Sequence, residues 1–363
     1  MTKNKKLNYI FYISIIILSI CLFFQVSIGS FSMSFSQIIH GIFNYDLLFN
    51  STYLLRHFFG DTLCNFLNLP LVNEAFLTQE SLIIWNIRIP RFFLGIFAGI
   101  NLSLSGLIFQ TITRNEMASP YILGVSQGSG LSIILVLMLF PMLYSSLPLI
   151  AIIGGIISFL LIYLISWNHG TTPIRLILAG IIIGSIATSI QTILFLFVQD
   201  LSLIQNVMSW TTGSLIGVGW EEVRLLFPYT ILSCILISFC HKPLDLLLLG
   251  ENNAKSIGLS IEKWRFVLAF FGVFAAAATV SVCGLIGFVG LIAPHISRVL
   301  IGRENKLLIP CCGIIGCLLL VCSDTLSRII FNPIQIPVGI IMSVLGGIFF
   351  IILMIKHRNF DKL

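Results

Sequence analysis

Long apolar stretches separated by short polar gaps set the pattern of this chain, and its charged residues are confined mainly to the gaps. A transmembrane helix needs about 20 predominantly apolar residues to cross a hydrocarbon core of about 30 Å. The stretches have about this length, although glycine interrupts several of them. The pattern therefore predicts about ten membrane-spanning helices, at residues 7–29, 92–110, 120–140, 146–167, 176–198, 225–240, 266–282, 284–300, 307–323 and 335–355.

Composition supports the same fold class. Of the 363 residues, 57% are hydrophobic and 9% are charged, and the mean hydropathy is +1.05. Soluble chains carry about 25% charged residues, and a single soluble core of this size could not hide so much apolar surface. We therefore predict an all-α polytopic membrane protein with one transmembrane domain over residues 1–363. The first stretch is too long for a signal peptide and lacks an A-x-A cleavage site, so we expect it to be a retained span.

The basic residues indicate orientation. The net charge is +6, but the twenty Lys and Arg are spread over the gaps and do not form the single stripe that nucleic-acid binding favours. If the N-terminus is cytoplasmic, fifteen of them lie inside and five outside, in agreement with the positive-inside rule. We therefore expect both termini to be cytoplasmic. The inner group is Lys3, Lys5, Lys6, Arg114, Arg175, Lys242, Lys255, Lys263, Arg265, Arg298, Arg303, Lys306, Lys356, Arg358 and Lys362, and the outer group is Arg56, Arg88, Arg91, Arg224 and Arg328.

Two gaps are longer than a simple connection requires, and long loops often carry function. One is an outer segment at about residues 30–90, and the other is an inner segment at about residues 241–265. The inner segment has an apolar patch at residues 244–249, followed by breaks at Gly250 and Gly258. This pattern predicts two short helices at the membrane surface, with a solvated linker as the alternative.

Several kinds of chemistry are excluded or disfavoured. The sequence has no G-x-x-x-x-G-K-[ST] motif and so cannot by itself hold a nucleotide in a P-loop. The six histidines are scattered, and the nine cysteines lie mostly inside apolar stretches without a C-x-x-C pair, which indicates neither a metal site nor a disulfide framework. The predicted spans contain almost no ionisable group of the kind that a proton- or sodium-coupled carrier uses, apart from Asp324 and Arg328 at one span end. Energy for any transport must therefore come from elsewhere.

Eight motifs occur in a familiar order: IRIPRFFLGIFAGINLSLSGLIFQ, RNEMASPYILGVSQGSG, RLILAG, WTTGSLIGVGW, LLLLGENNAKSIGLS, GLIGFVGLIAPHISRVLIG, SDTLSRIIFNPIQIPVGI and LGGIFF. Over about residues 60–357 the chain resembles the FecCD permease family, the membrane subunits of ABC importers for iron-siderophores, haem and cobalamin. The resemblance implies the type II ABC importer permease fold, with ten helices per subunit. It also implies a bacterial inner-membrane subunit that moves a ferric chelate by alternating access and has no enzymatic activity of its own.

The resemblance further implies the partners of the chain. These are a second permease subunit, identical or related, two cytoplasmic ABC ATPase subunits that bind ATP and Mg, a periplasmic substrate-binding protein, the ferric chelate and membrane lipid. We expect no cofactor on this chain and no nucleic acid. Haem or cobalamin is the alternative substrate within the family. A secondary carrier of an organic solute and a non-transporting receptor or assembly factor are the alternative classes, and ATPase stimulation of a purified complex would separate them from an importer.

The family pattern assigns roles to arginines at the outer side. Arg88 and Arg91 of the R-x-P-R motif and Arg328 near the end of the ninth span are expected to receive acidic residues of the binding protein. An outward guanidinium offers a rigid fork to a carboxylate, and Pro90 restricts the local backbone. The alternative is interfacial snorkelling, in which the arginines only anchor a helix.

At the inner side, RNEMASP matches the family's Asn-Pro-Leu-Ala turn, which identifies Asn115 and Met117 as the expected cytoplasmic gate. Glu116 replaces the usual proline, which should loosen the turn and add a charge. The inner segment matches the family's ATPase-coupling helices through small residues and one acid that should let the ATPase approach closely. These coupling residues are Gly250, Glu251, Ala254 and Gly258.

GLIAPHISR matches the family's G-L-x-x-P-H-x-x-R motif. We expect Pro294 to bend the eighth span, Arg298 to anchor it at the cytoplasmic side, and His295 to have a structural role. Two departures stand out. Gln335 replaces a glutamate, which removes a possible partner of Arg328, and Gly347-Ile348 replaces Ala-Pro.

Overall fold

The computed structural model describes residues 3–29, 31, 33–44, 51–60, 64–65, 78–168, 170–198, 201–331 and 333–357. Over these residues the chain forms helices joined by loops, without a β-strand. The helices are α1 (Lys3–Ser27), α2 (Phe35–Ile42), α3 (Ser51–Phe59), α4 (Gln79–Ile83), α5 (Ile89–Thr113), α6 (Val125–Leu139), α7 (Leu147–Ser166), α8 (Pro173–Leu196), α9 (Leu201–Thr212), α10 (Trp220–Phe239), α11 (His241–Leu248), α12 (Glu251–Ser256), α13 (Ile261–Cys283), α14 (Val289–Ile301), α15 (Asn305–Ile330) and α16 (Val338–His357).

The predicted all-α membrane fold is confirmed. Among the described residues, eight helical segments are long and apolar enough to cross a membrane: α1, α4 together with α5, α7, α8, α10, α13, α15 and α16. The shorter apolar helices α6 and α14 bring the set to the expected ten. Much of the long outer segment lies outside the described residues. Arg358 and Lys362, two of the fifteen basic residues expected inside, also lie outside them.

The second span begins earlier than its apolar stretch suggested. Helix α4 continues into α5 through one π-helical turn at Ile84–Arg88, where the Ile89 N–H bonds to the Ile84 carbonyl. Pro90 explains the wider turn, because it has no N–H to donate to the carbonyl four residues earlier. The combined helix is thereby longer than the predicted span, and Arg88 and Arg91 lie on it.

The prediction of a continuous helix over 284–300 is wrong at its start. Helix α14 begins at Val289, and Phe288 before it has a left-handed backbone with φ of 66°. The preceding residues pair with the chain near α9, since the Leu285 N–H bonds to the Trp210 carbonyl (2.8 Å). The apolar residues 284–288 form the loop between α13 and α14. Hydrophobicity alone cannot distinguish such a loop from the start of a membrane span.

Helix α5 is the centre of the bundle and packs against α10, α13, α14 and α15. Its contacts depend on glycine, because a methyl group on Gly106 would overlap the Gly290 carbonyl of α14. A methyl group on Gly99 would similarly overlap the Gly316 carbonyl of α15. Backbones in direct contact give tight interfaces between membrane helices. This packing fixes α5, and with it the polar clusters at its two ends.

Candidate functional site

A buried ion pair between Arg91 of α5 and Asp324 of α15 is the centre of the polar group at one end of α5. Arg91 Nη2 lies 2.5 Å from Asp324 Oδ1, and Arg91 Nε donates to both carboxylate oxygens at 3.1 Å. The Arg91 side chain is 4% exposed and that of Asp324 is 1% exposed. A fork-to-fork pair of this kind is directional and strong, because both groups are charged and shielded from water.

Four further residues complete this group, which we call the Arg91 cluster. Arg328 lies one helical turn after Asp324, with its Nε 3.4 Å from Oδ2, and it donates to the Gln25 carbonyl of α1 at 3.1 Å. Gln25 donates from its side chain to Asp324. Gln335 accepts a hydrogen bond from Arg91 Nη1 (3.0 Å), while Arg88 donates to the carbonyls of Val26 and Phe31.

The Arg91 cluster has an excess of positive charge. The cluster holds three buried guanidinium groups, on Arg88, Arg91 and Arg328, and one carboxylate, on Asp324, which pairs with Arg91 and Arg328. Gln335, at the position where the family pattern has glutamate, contributes a neutral amide at the rim. Arg328 Nη2 has no hydrogen-bond partner within the described part of the chain. Burying unbalanced charge is costly. An additional anionic group beside the exposed residue Gln335 would therefore be favourable.

The expectation that these arginines offer free guanidinium forks to a partner is therefore corrected. Arg88, Arg91 and Arg328 are 3%, 4% and 7% exposed, and their forks are engaged by groups of the same chain. The spacing of four residues between Asp324 and Arg328 was visible in the sequence, but the partners of Arg91 and Arg88 lie at least 57 residues away and could not be identified from it. Their docking role stays a prediction.

A second polar group, the Glu116 cluster, lies at the other end of α5. Glu116 is in the loop after α5, and its carboxylate faces three basic side chains of α14 and the turn after it: His295 Nδ1 at 3.2 Å, Arg303 Nη2 at 3.4 Å and Arg298 Nη1 at 3.8 Å. Arg298 also donates to the Gln110 side chain of α5 at 2.5 Å. The cluster thus joins the 114–124 loop and α5 to α14.

The expected gate residues lie in this loop. Asn115 Oδ1 accepts the Met117 N–H (2.8 Å), which shapes the turn, and Met117 is 54% exposed. The prediction that Glu116 loosens the turn is corrected, because its carboxylate ties the loop to α14. The gate role of Asn115 and Met117 stays a prediction.

The residues of the GLIAPHISR motif pack as parts of α14. Pro294 is buried inside the helix, which continues through it to Ile301 and does not break there. His295 contacts the Phe349 ring of α16 edge to face, with 5.6 Å between ring centres, as well as Glu116. Arg298 is largely buried and bonded to Gln110, so it holds two helices together. Its role as an anchor at a membrane surface stays a prediction.

The predicted pair of short helices in the inner segment is confirmed as α11 and α12. Ala254 corrects the idea that small side chains here serve a partner, because it is fully buried in the core with Leu244 and Leu247. Gly250 and Gly258 do face open space, and their φ values of 108° and 89° are left-handed. Glycine is therefore favoured at both positions for the backbone conformation.

Arg265 is a structural member of this segment, although in the sequence its charge indicated only orientation. Its side chain is 2% exposed, and it contacts Glu251 Oε1 at 2.8 Å, Glu262 Oε1 at 3.1 Å and Thr171 Oγ1 at 3.1 Å. It thereby joins α12, α13 and the α7–α8 connection. The Glu262–Arg265 spacing of three residues was a signal in the sequence, but the Glu251 and Thr171 contacts are tertiary.

A cleft of about 510 Å³ begins beside the 114–124 loop. Tyr121 of the loop, Thr212 of α9, Phe288 before α14 and Ser343 of α16 lie on its walls, and none of the described residues that line it is charged. A surface of this kind offers hydroxyl groups and apolar area to a bulky solute but no fixed charge.

Comparisons with known proteins identify similar chains. The profile of the FecCD transport family matches residues 17–356. A Fe(3+)-citrate import system permease protein of Bacillus subtilis is 38% identical over 275 residues, which cover 75% of this chain and 81% of the relative. A vitamin B12 import system permease protein of Vibrio cholerae is 32% identical over 290 residues, covering 79% of this chain and 86% of the relative.

A solved structure resembles the fold over nearly its whole length. It is described as an inward-facing conformation of a metal-chelate type ABC transporter, and the match has a TM-score of 0.77 at 25% identity. The match covers 96% of this chain and 99% of the solved chain.

Proposed function

Because this chain belongs to the FecCD transport family, we propose that it is the permease subunit of an ABC importer that moves a ferric chelate across the bacterial inner membrane. The observation that carries the proposal is the family match over residues 17–356, together with a fold match that covers 96% of this chain. The similarity to an iron-citrate import permease supports a ferric chelate as the substrate. ATP hydrolysis would be supplied by separate subunits.

The geometry suits alternating access. A transporter of this kind must open at one end while it is closed at the other, and then reverse. Helix α5 carries the Arg91 cluster at one end and the 114–124 loop at the other, with the uncharged cleft beside that loop. In our proposal the Arg91 end faces the binding protein, and the loop forms the cytoplasmic gate.

The remaining partners follow from the same proposal. The helices α11 and α12 form the surface on which an ATPase subunit acts, through the left-handed turns at Gly250 and Gly258. A second permease subunit, identical or related, completes the path. The excess positive charge of the Arg91 cluster attracts acidic residues of a binding protein during approach, since long-range charge complementarity raises association rates.

Uptake in cells with and without the gene tests the proposal. Deletion should abolish uptake of one class of radiolabelled ferric chelate, such as citrate, hydroxamate or catecholate complexes, and the wild-type gene should restore it. Uptake should also stop when the partner ATPase carries an inactive catalytic site. Unchanged uptake of every chelate would contradict the iron proposal, and uptake that follows an ion gradient without ATPase would favour a secondary carrier.

Cobalamin is the second candidate substrate, because a vitamin B12 import permease is among the similar relatives. The same deletion strain should be tested with labelled cobalamin and haem. Loss of cobalamin or haem uptake with normal ferric-chelate uptake would keep the importer class and change the substrate.

A further inference from the structure

Arg114 links the 114–124 loop to the end of α11. Its Nη2 donates to the Leu247 carbonyl at 3.1 Å, in the last turn of that helix, where a cation is favoured by the helix dipole. The Arg114 backbone is left-handed, with φ of 50°, which is uncommon for a residue with a Cβ atom. This left-handed state caps the C-terminus of α5, where the Arg114 N–H bonds to the carbonyls of Gln110 and Thr111.

Helix α11 lies directly against the end of α5 from which this loop emerges. Leu244 and Leu247 of α11 are buried in the same core cluster as Ile112 of α5. Asp245 accepts hydrogen bonds from the backbone (3.0 Å) and side chain (2.8 Å) of Asn305, at the start of α15. Because α11 is packed tightly against this end of α5, a displacement of α11 would also displace the loop.

Arg114 is thus one anchor of the loop, a residue whose side chain attaches it to a helix. The second anchor is Glu116, which attaches the loop to a different helix. The contacts of its carboxylate with His295, Arg298 and Arg303 all involve α14 or the turn directly after it. Only Asn115 separates the two anchor residues, and the exposed Met117 follows directly. The loop is thus held between α11 on one side and α14 on the other.

We propose that Arg114 and Glu116 are the positioning residues that transmit movement of α11 to the 114–124 loop: Arg114 links the loop to the moving helix, and Glu116 holds it to α14. The coupling part of this inference rests on the proposed function, whereas the two anchors can be tested on the chain alone. Each anchor should determine a different distance, since they engage different helices.

Distances between spin labels test the anchors in the purified chain in lipid nanodiscs. On a cysteine-free background, one pair of labels at Met117→Cys and Val299→Cys reports the loop against α14, and a second pair at Met117→Cys and Leu249→Cys reports the loop against α11. Val299 and Leu249 are exposed, at 75% and 54%. Glu116→Gln should broaden the first distance distribution and leave the second narrow, and Arg114→Gln should do the reverse.

Matched controls neutralise charges that do not touch the loop. Glu304→Gln removes an exposed carboxylate that pairs with Lys3 at 3.2 Å, and Lys263→Gln removes an exposed cation of α13. Neither should change either distance. If Glu116→Gln and Arg114→Gln also leave both distributions unchanged, the anchors do not position the loop and the inference is wrong.

The assembled transporter tests the coupling. Substrate moved per ATP hydrolysed should fall by about tenfold in Arg114→Gln, the factor that corresponds to one hydrogen bond to a charged group, while ATP hydrolysis persists. Arg114→Lys, which keeps a donor, should restore part of this ratio. An unchanged ratio in a variant with altered distances would refute the coupling role. If the wild-type complex neither hydrolyses ATP nor moves substrate, the proposed function fails, while the distance measurements stand by themselves.

Discussion

Asp324 is the only carboxylate among the described side chains of the Arg91 cluster, so its loss would leave two arginines buried without a counter-charge. We predict that Asp324→Asn lowers the free energy of unfolding by about 3–5 kcal/mol, the usual effect of breaking a buried pair. Denaturant unfolding in mixed micelles would measure this. Glu304→Gln, which removes an exposed pair, should cost at most about 1 kcal/mol. Equal effects of the two substitutions would argue against a buried pair at Asp324.

Gln335 allows the charge of the Arg91 cluster to be changed without removing a buried partner, because the residue is exposed and accepts a hydrogen bond from Arg91. We predict that Gln335→Glu raises the melting temperature, since it adds a carboxylate beside excess positive charge. It should also weaken the affinity of the binding protein, most clearly at low salt, where exposed charges are least screened. Titration of purified binding protein onto nanodiscs at two salt concentrations would measure this.

Gln335→Met is the neutral control for that measurement, since it removes the acceptor without adding charge. An affinity that is the same for wild type, Gln335→Glu and Gln335→Met at both salt concentrations would remove the proposed docking role from this end of the molecule.

At the scale of elements, Arg265 holds α12 against α13 and the α7–α8 connection. We predict that Arg265→Met destabilises α12 locally by about 1–3 kcal/mol, because Glu251 and Thr171 lose a charged donor but Glu251 is partly exposed and can turn to water. Hydrogen exchange of residues 251–258 should therefore accelerate by about tenfold or more. Lys263→Met changes an exposed residue in the first turn of α13, the helix that carries Arg265. It should leave the exchange of residues 251–258 unchanged. Protection equal to wild type in Arg265→Met would contradict the role of Arg265.

The turns that flank α12 give a second prediction at this scale. Gly258→Trp places a large side chain on a left-handed residue that faces open space, so it adds strain and also blocks approach to the surface of α11 and α12. We expect the chain to reach the membrane but to lose ATPase-driven transport. Gly217→Trp is a matched control, because Gly217 also has a positive φ and open surroundings but lies before α10. Normal transport by Gly258→Trp would show that this surface is not the ATPase contact.

At the scale of the whole molecule, the two polar clusters must lie on opposite sides of the membrane. Helix α5 alone has 25 residues, which correspond to about 38 Å at 1.5 Å per residue. We predict that an impermeant thiol reagent added to whole cells labels Gln335→Cys and does not label Lys255→Cys, both on a cysteine-free background. Strong labelling at position 255 from outside would reverse the proposed orientation.

The sequence by itself determined the membrane class, the number of spans, the family and the two short helices α11 and α12. These features depend on local properties, since a span is recognised by the length and hydrophobicity of one stretch, and the breaks at Gly250 and Gly258 are local too. The motifs also singled out Arg88, Arg91 and Arg328 of one cluster and His295 and Arg298 of the other. They did not single out Gln25 of α1, and they could not say which side chains these residues contact.

Only the tertiary structure decided how the charges are used. Arg91 and Asp324 are 233 residues apart, and Glu116 and His295 are 179 residues apart, so no sequence spacing could pair them. Packing of α5 against α14 and α15 through Gly106 and Gly99 brings these partners together. An unpaired charge is costly among packed helices, so the arginines that the sequence suggested were free to bind a partner form a buried network with groups of the same chain. The same packing made Glu116, which seemed to loosen a turn, a link between that turn and α14.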